Sequence, residues 1–273
     1  MILATGLAMG ESPRWYDGRL FVSDMGANEL LSIDPRDGEQ ATPKVVAQVP
    51  GMPMGLGRRP DGTMLIVSSR DGKLLAGDAT TVLADLSALS SKPWSDMAVD
   101  GRGNAYIGNI GFDFPYGEVT TGIVALVTPD GRARPVADDV HFPNGIAITP
   151  DNRTLMLAET YAHRLTAYTI EDDGSLGDRR VWAELPGAFP DGICLDAEGC
   201  IWYADVPAKR CVRVREGGET VQTVQADRGC FACVLGGPSG TTLYIVTAEW
   251  GGTGERTGQV LAVDVEVPGA GWP

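Results

Sequence analysis

Short apolar runs recur along the chain, each introduced by a turn of Gly, Asp, Asn or Ser. Runs at 20–23, 64–68, 105–108, 155–158, 201–204 and 243–247 follow Asp17-Gly18, Asp61-Gly62, the 101–103 glycine turn, Asp151-Asn152, Glu198-Gly199 and Ser239-Gly240. Each turn is preceded by another run, opening in turn at Glu11, Met54, Ser95, Asn144, Asp191 and Ala232. These openings are spaced by roughly 43, 41, 49, 47 and 41 residues, the period of a four-stranded propeller blade. Runs at 30–33, 122–127, 164–170, 210–215 and 259–263 fit third strands. Runs at 45–49, 81–86, 181–185 and 220–224 fit fourth strands. Apolar runs of this length bounded by turn formers indicate antiparallel strands, and helical periodicity is nearly absent. The expected fold is all-β, a six-bladed β-propeller formed as one domain over 1–273. A β-sandwich would not explain the regular step. The last strand, near 259–263, is expected to close the ring against a first strand near 2–7.

Composition agrees. The 273 residues are 43% hydrophobic, enough to bury a core, and Gly 36 with Pro 18 supplies many turns. The net charge of −14 repels phosphate backbones, so nucleic acid is excluded as a partner, whereas cations are attracted. Neither a basic leader with an apolar stretch nor a run near the 20 residues of a membrane span is present, so the chain reads as soluble and cytoplasmic, without membrane contact. Five cysteines, an odd number, argue against a disulfide framework. Cys230 and Cys233 form a lone C-x-x-C, half of a zinc site, and read as buried structural thiols.

The repeat allows equivalent positions to be compared. The first residue of each inner strand sits at one mouth of the central channel, and three of these six, Glu11, Asn144 and Asp191, are oxygen ligands. Second-strand ends lie at the same mouth and carry Asp24, Ser69, Asn109, Glu159, Asp205 and Glu249. Any one acid at a strand end is readily explained as a turn former. Two concentric rings of oxygen donors suit a hard or borderline divalent cation, which would also remove the cost of burying carboxylates together. Oxygen-only ligands suit calcium first, then magnesium or manganese; zinc is chemically possible.

At these residues the chain resembles the SMP-30/gluconolactonase/LRE-like (regucalcin-type) family. The resemblance rests on Gly10-Glu11-Ser12-Pro13-Arg14-Trp15, Phe142-Pro143-Asn144-Gly145 and Pro190-Asp191-Gly192. Ser95-Asp96-Met97-Ala98-Val99-Asp100 and Gly108-Asn109-Ile110-Gly111-Phe112-Asp113 support it. It extends over essentially the whole chain. It implies a propeller with one divalent metal held by Glu11, Asn144 and Asp191, with Asp191 also the general base, and lactonase activity. Many members have a substrate-contacting Asn where this chain has Ser95, and sugar-lactone members often have an Arg where it has Pro93. Asn109 is a candidate to restore an amide at the site.

The expected reaction is metal-assisted opening of a small-molecule lactone, with a polarised carbonyl and water activated by Asp191 or by the metal. No G-x-S-x-G nucleophile pattern is present, and there are only two histidines. His141, three residues before Asn144, is a candidate acid or base, though a structural loop role fits it as well; His163 lies in a connecting loop. Trp94, Phe112, Phe114, Tyr116, Phe142, Phe231 and Trp250 are candidate wall residues. The irregular stretch 111–121 is a candidate lid. Two other readings share these residues: a metal-stabilised binding propeller without turnover, and an aryl-ester or phosphotriester hydrolase. A strictosidine-synthase-like condensation would leave the metal redundant. Oligomeric state is not readable from the sequence.

Overall fold

The computed structural model describes residues 1–251 and 256–271. Twenty-four strands form six four-stranded antiparallel sheets, the blades of a β-propeller. Blades one to five each use four consecutive strands. Blade six takes three from the C-terminal part and a fourth, Ile2–Leu7, from the start of the chain, paired with Gly258–Asp264. The ring therefore closes as the spacing predicts.

Inner strands run Gly10–Tyr16, Pro53–Arg58, Trp94–Val99, Pro143–Ile148, Pro190–Leu195 and Gly229–Gly236. Those of blades three and four are buried along their whole length, whereas the outermost strand Lys44–Gln48 is largely exposed. The core lies between blades: Leu65, Val67, Leu74 and Leu86 of blade two pack on Trp94, Met97, Val99 and Ile107 of blade three. Every sheet thus buries both faces, which is why its strands read as apolar runs more than as strict alternation.

Two strands escape the sequence pattern. Lys73–Ala76 completes blade two with only four residues, and Ala133–Val140 completes blade three with a polar, Pro-containing sequence. Proline and charge are suited to an edge strand, whose outer side needs no ladder partner.

At the same point in every blade, the inner strand slips register against its neighbour: Glu11/Arg14, Pro53/Leu56, Trp94/Met97, Pro143/Ile146, Pro190/Ile193 and Cys230/Ala232. Such bulges re-aim side chains. They mark Ser12, Met54, Ser95, Asn144 and Asp191 as equivalents, and Glu11, paired with Ser23, stands one residue before the bulge, level with Pro143 and Pro190. In blade six the bulged residue is Phe231, one residue before the Ala232 expected from the repeat. The glycines after Asn144 and Asp191 serve close packing. A Cβ on Gly145 would lie 2.6 Å from the Asp191 carbonyl oxygen, and one on Gly192 2.4 Å from Ala232 Cβ. Ala232 therefore occupies the packing position, where blade six has no Asp-Gly pair to set the alignment.

Candidate metal centre

Glu11, Asn144 and Asp191 reach one channel mouth from blades one, four and five, and are 7, 9 and 9% exposed. Burial is the main force raising the Glu11 carboxyl well above its ordinary range, followed by the charges of Asp191 and Asp96. Asp191 is raised for the same first reason; the neighbouring Asn144 side chain pulls it down and Asp96 pushes it up. Asp191 Oδ1 is buried without a hydrogen-bond partner. An orphaned carboxylate oxygen is costly unless a cation or donor meets it. Asn144 Nδ2 donates to Thr160 Oγ1 (3.2 Å), and that hydroxyl donates to the Pro190 carbonyl (2.8 Å). The amide nitrogen is thereby engaged, which leaves the amide oxygen as a ligand.

Alongside lies a second buried charge group. Arg14 Nη2 donates to Asp96 Oδ1 (2.9 Å) and to the Met97 carbonyl (2.7 Å). Ser12 Oγ donates to Asp96 Oδ1 (2.6 Å) and accepts from the Leu56 amide (2.9 Å). One carboxylate and one hydroxyl thus link the inner strands of blades one, two and three. With all four side chains ionised, Glu11, Asp96 and Asp191 against Arg14 sum to −2, the charge that one divalent cation neutralises. The donor set of two carboxylates and an amide fits such an ion. Among the described residues, no three His, Cys, Asp or Glu side chains gather as a metal site, so any cation here depends on the Asn144 amide. The C-x-x-C thiols are not half of one either: Cys230 and Cys233 are buried and free, with Cys233 Sγ 3.9 Å from Cys194 Sγ.

Of the expected outer ring, Asp24, Asn109, Glu159 and Asp205 hold neighbouring loops and strands, whereas the Ser69 hydroxyl is buried without a hydrogen-bond partner. Asp24 accepts the Ala8 and Met9 amides (2.9 and 2.8 Å). Glu159 accepts from Arg164, Arg179 and the His141 amide, and Asp205 from Arg210. Glu249 is exposed. Asn109 Nδ2 donates to the Lys92 and Pro93 carbonyls (2.8 and 3.1 Å) while its Oδ1 accepts the Gly111 amide (3.1 Å). Ser95, in the ring position of blade three, donates to the Pro143 carbonyl (2.7 Å). Trp94 is core rather than wall: fully buried, it points between blades two and three, one residue out of phase with the channel. His141 is exposed at the rim, and His163 Nδ1 contacts the Ala188 carbonyl (2.6 Å). Phe112 and Phe142 are buried together, and Trp250 lies at the rim.

Phe142, directly before Pro143-Asn144, and Ser12, directly after Glu11, both hold positive φ (55° and 48°). That conformation is rare for an aromatic residue, and such outliers gather at functional sites. A cleft of about 440 Å³ opens at the opposite mouth, lined by Arg14, Ile146, Ile193 and Leu235, far from these carboxylates' strand ends.

The SMP-30/gluconolactonase/LRE-like region matches residues 9–249, and so spans five complete blades and two of the four strands of the sixth. The chain belongs to that family. It is 30% identical to a 6-deoxy-6-sulfogluconolactonase of Pseudomonas putida, over 97% of this chain and 94% of that protein. It is 27% identical to the regucalcin of Xenopus laevis, over 88% and 83%. The crystal structure of a calcium-binding regucalcin from Agrobacterium tumefaciens superposes with a TM-score of 0.83 at 23% identity, over 100% of this chain and 95% of that one, a likeness of fold.

Sequence reasoning missed Arg14, Asp96, Ser12 and Thr160, whereas Phe231 was among the expected wall residues. Arg14 and Asp96 carried a usable signal, because both are charged residues inside strands expected to be buried. Thr160 follows the end of its strand and shows no such signal.

Proposed function

We propose that this protein is a metal-dependent lactonase with Glu11, Asn144 and Asp191 as metal ligands. The observation that carries the reading is the unpartnered, buried Oδ1 of Asp191, beside buried Glu11 and Asp96. The lactonase named among its relatives supports the substrate class. A bound divalent cation, calcium first in preference, would supply Lewis acidity toward the ester carbonyl of the lactone.

The chain's own residues do the rest. Asp191 takes a proton from the water that attacks the carbonyl carbon. The ring C–O bond breaks, and Asp191 returns the proton to the leaving alkoxide, giving a hydroxy acid. Burial favours the first of these transfers, because it raises the affinity of Asp191 for a proton; the alkoxide, a far stronger base, draws the proton off in the second. Arg14 neutralises Asp96 rather than the site carboxylates, so two negative charges remain for the ion. Thr160 holds the Asn144 amide in one orientation.

The test is hydrolysis of a lactone panel followed by pH-stat, on protein stripped with EDTA and then given calcium, zinc, manganese or magnesium. Activity is expected to vanish on stripping and return with a divalent ion. Asp191→Ala is expected to abolish turnover while the circular dichroism of the propeller persists. Unchanged turnover in Asp191→Ala, or in the stripped protein, would overturn the proposal.

A further inference from the structure

The channel mouth carries a continuous arch of aromatic rings. Tyr161 and Phe142 lie 4.9 Å apart between ring centroids, Phe142 and Phe114 5.0 Å, Phe114 and Trp250 5.9 Å, and Trp250 and Phe231 5.7 Å. Phe112 backs it, 5.8 Å from Phe142. The arch starts beside Asn144 on blade four, since Phe142 is two residues before it. It ends on Phe231, the bulged residue of blade six as Asp191 is of blade five. Between these ends it crosses on the 111–121 segment of blade three, through Phe114. Trp250 remains 55% exposed and Tyr116 96% exposed.

Three side chains near the arch that could receive hydroxyls are already committed. Ser95 is bonded to the Pro143 carbonyl, Asn109 to two carbonyls and an amide, and Thr160 to the Pro190 carbonyl. Two of the six bulge positions, Met54 and Phe231, are apolar. A polyhydroxylated ring placed here would leave hydroxyls unmatched, which sites built from apolar surface reject poorly but bind weakly. An aryl or alkyl group would instead cover the exposed face of Trp250 and join the ring stack.

Resting on the lactonase reading, we infer that the substrate is a lactone carrying an apolar, aryl-sized substituent, held by the Phe114–Trp250–Phe231 part of the arch while its ester group meets Asp191. Phe114 and Trp250 are then specificity-determining residues, and the sugar lactone is the poorer substrate.

The experiment compares δ-phenyl-δ-valerolactone with glucono-δ-lactone on the metal-loaded protein, in wild type, Trp250→Ala and Phe114→Leu. Calorimetry of the corresponding phenyl δ-lactam, which resists hydrolysis, reads binding without turnover. The phenyl lactone is expected to have the higher kcat/KM, by about tenfold or more. The ratio of the two kcat/KM values should fall about tenfold in Trp250→Ala, with lactam binding weakened in parallel. A preference for the sugar lactone, or a ratio unmoved in both variants, overturns the inference while the lactonase reading stands. Lactam binding that depends on Trp250, with no lactone hydrolysed under any metal, supports the aryl site and overturns the lactonase reading. Absence of both hydrolysis and lactam binding overturns both.

Discussion

Asp96→Asn removes one charge from the buried group beside the site while keeping its shape. In the wild type, Arg14 and Asp96 are each 8% exposed in their side chains and 2.9 Å apart, so neither has bulk water as a substitute partner. Breaking a buried pair from one side costs about 3–5 kcal/mol, because the other charge is left alone in low dielectric. Ser12 loses the ionised acceptor of its hydroxyl as well, and the Arg14 guanidinium keeps the carbonyls of Pro13 and Met97. Part of the loss is offset without metal, because Asp96 also repels Glu11 and Asp191. The chelated protein should therefore lose about 3 kcal/mol, and the metal-loaded protein more, since the net charge facing the ion falls from −2 to −1. At about 2–4 °C per kcal/mol for a domain of this size, the melting temperature should drop by roughly 6–20 °C. Differential scanning calorimetry with EDTA and then with calcium measures both. Adding Arg14→Met should recover part of the loss, as no lone charge remains. A loss below about 1 kcal/mol, the range of an exposed pair, would refute the reasoning, as would strict additivity of the two substitutions.

Glu159→Gln should destabilise the fold by about 3 kcal/mol at neutral pH, because its fully buried carboxylate accepts from Arg164 and Arg179 at once. Burial alone would raise its proton affinity, but the bonds from Arg164, Thr166 and the His141 amide hold it below the ordinary carboxylate range. A lowered folded pKa stabilises above the unfolded value of about 4.3 and ceases to as pH falls through the folded one. Urea titrations of the two proteins should thus converge at acid pH; a gap that widens there would contradict this. Gly192→Ala should cost about 1–3 kcal/mol from overpacking, since its Cβ would sit 2.4 Å from Ala232 Cβ. A melting temperature equal to wild type would show that the blade five–six seam yields.

Blade number and order were legible because each hairpin is announced by its own turn residues, and because both faces of each sheet are buried. Lys73–Ala76 was not, being only four residues around Leu74-Leu75, nor was Ala133–Val140, whose polar edge sequence resembles a loop. Asn144 and Asp191 share the bulge position that recurs in every blade, whereas Glu11 stands one residue before it. The repeat was likewise out by one residue at Phe231, where no glycine marks the packing position. Trp94 shows the other limit: adjacent residues on a strand face opposite ways, so a neighbour of the ring residue Ser95 is committed to the core. The outer acids were legible as acids but not as supports, because their arginine partners come from different strands and loops.

The strand Ile2–Leu7 is the first part of this sequence to leave a ribosome and the last to find its place. Its partners, residues 258–264, follow some 250 positions later, and the Met1 amino group ends on the Ala262 carbonyl. Blades one to five hold Glu11, Asn144 and Asp191 and can assemble in order of synthesis, whereas Phe231 and Trp250 belong to the blade that waits. Contacts this distant in sequence make ring closure a slow, late event. During translation Glu11, Asn144 and Asp191 would thus come together before the aromatic wall, and the pairing of Ile2–Leu7 with Gly258–Asp264 inside blade six is the place where the ring would open first under load.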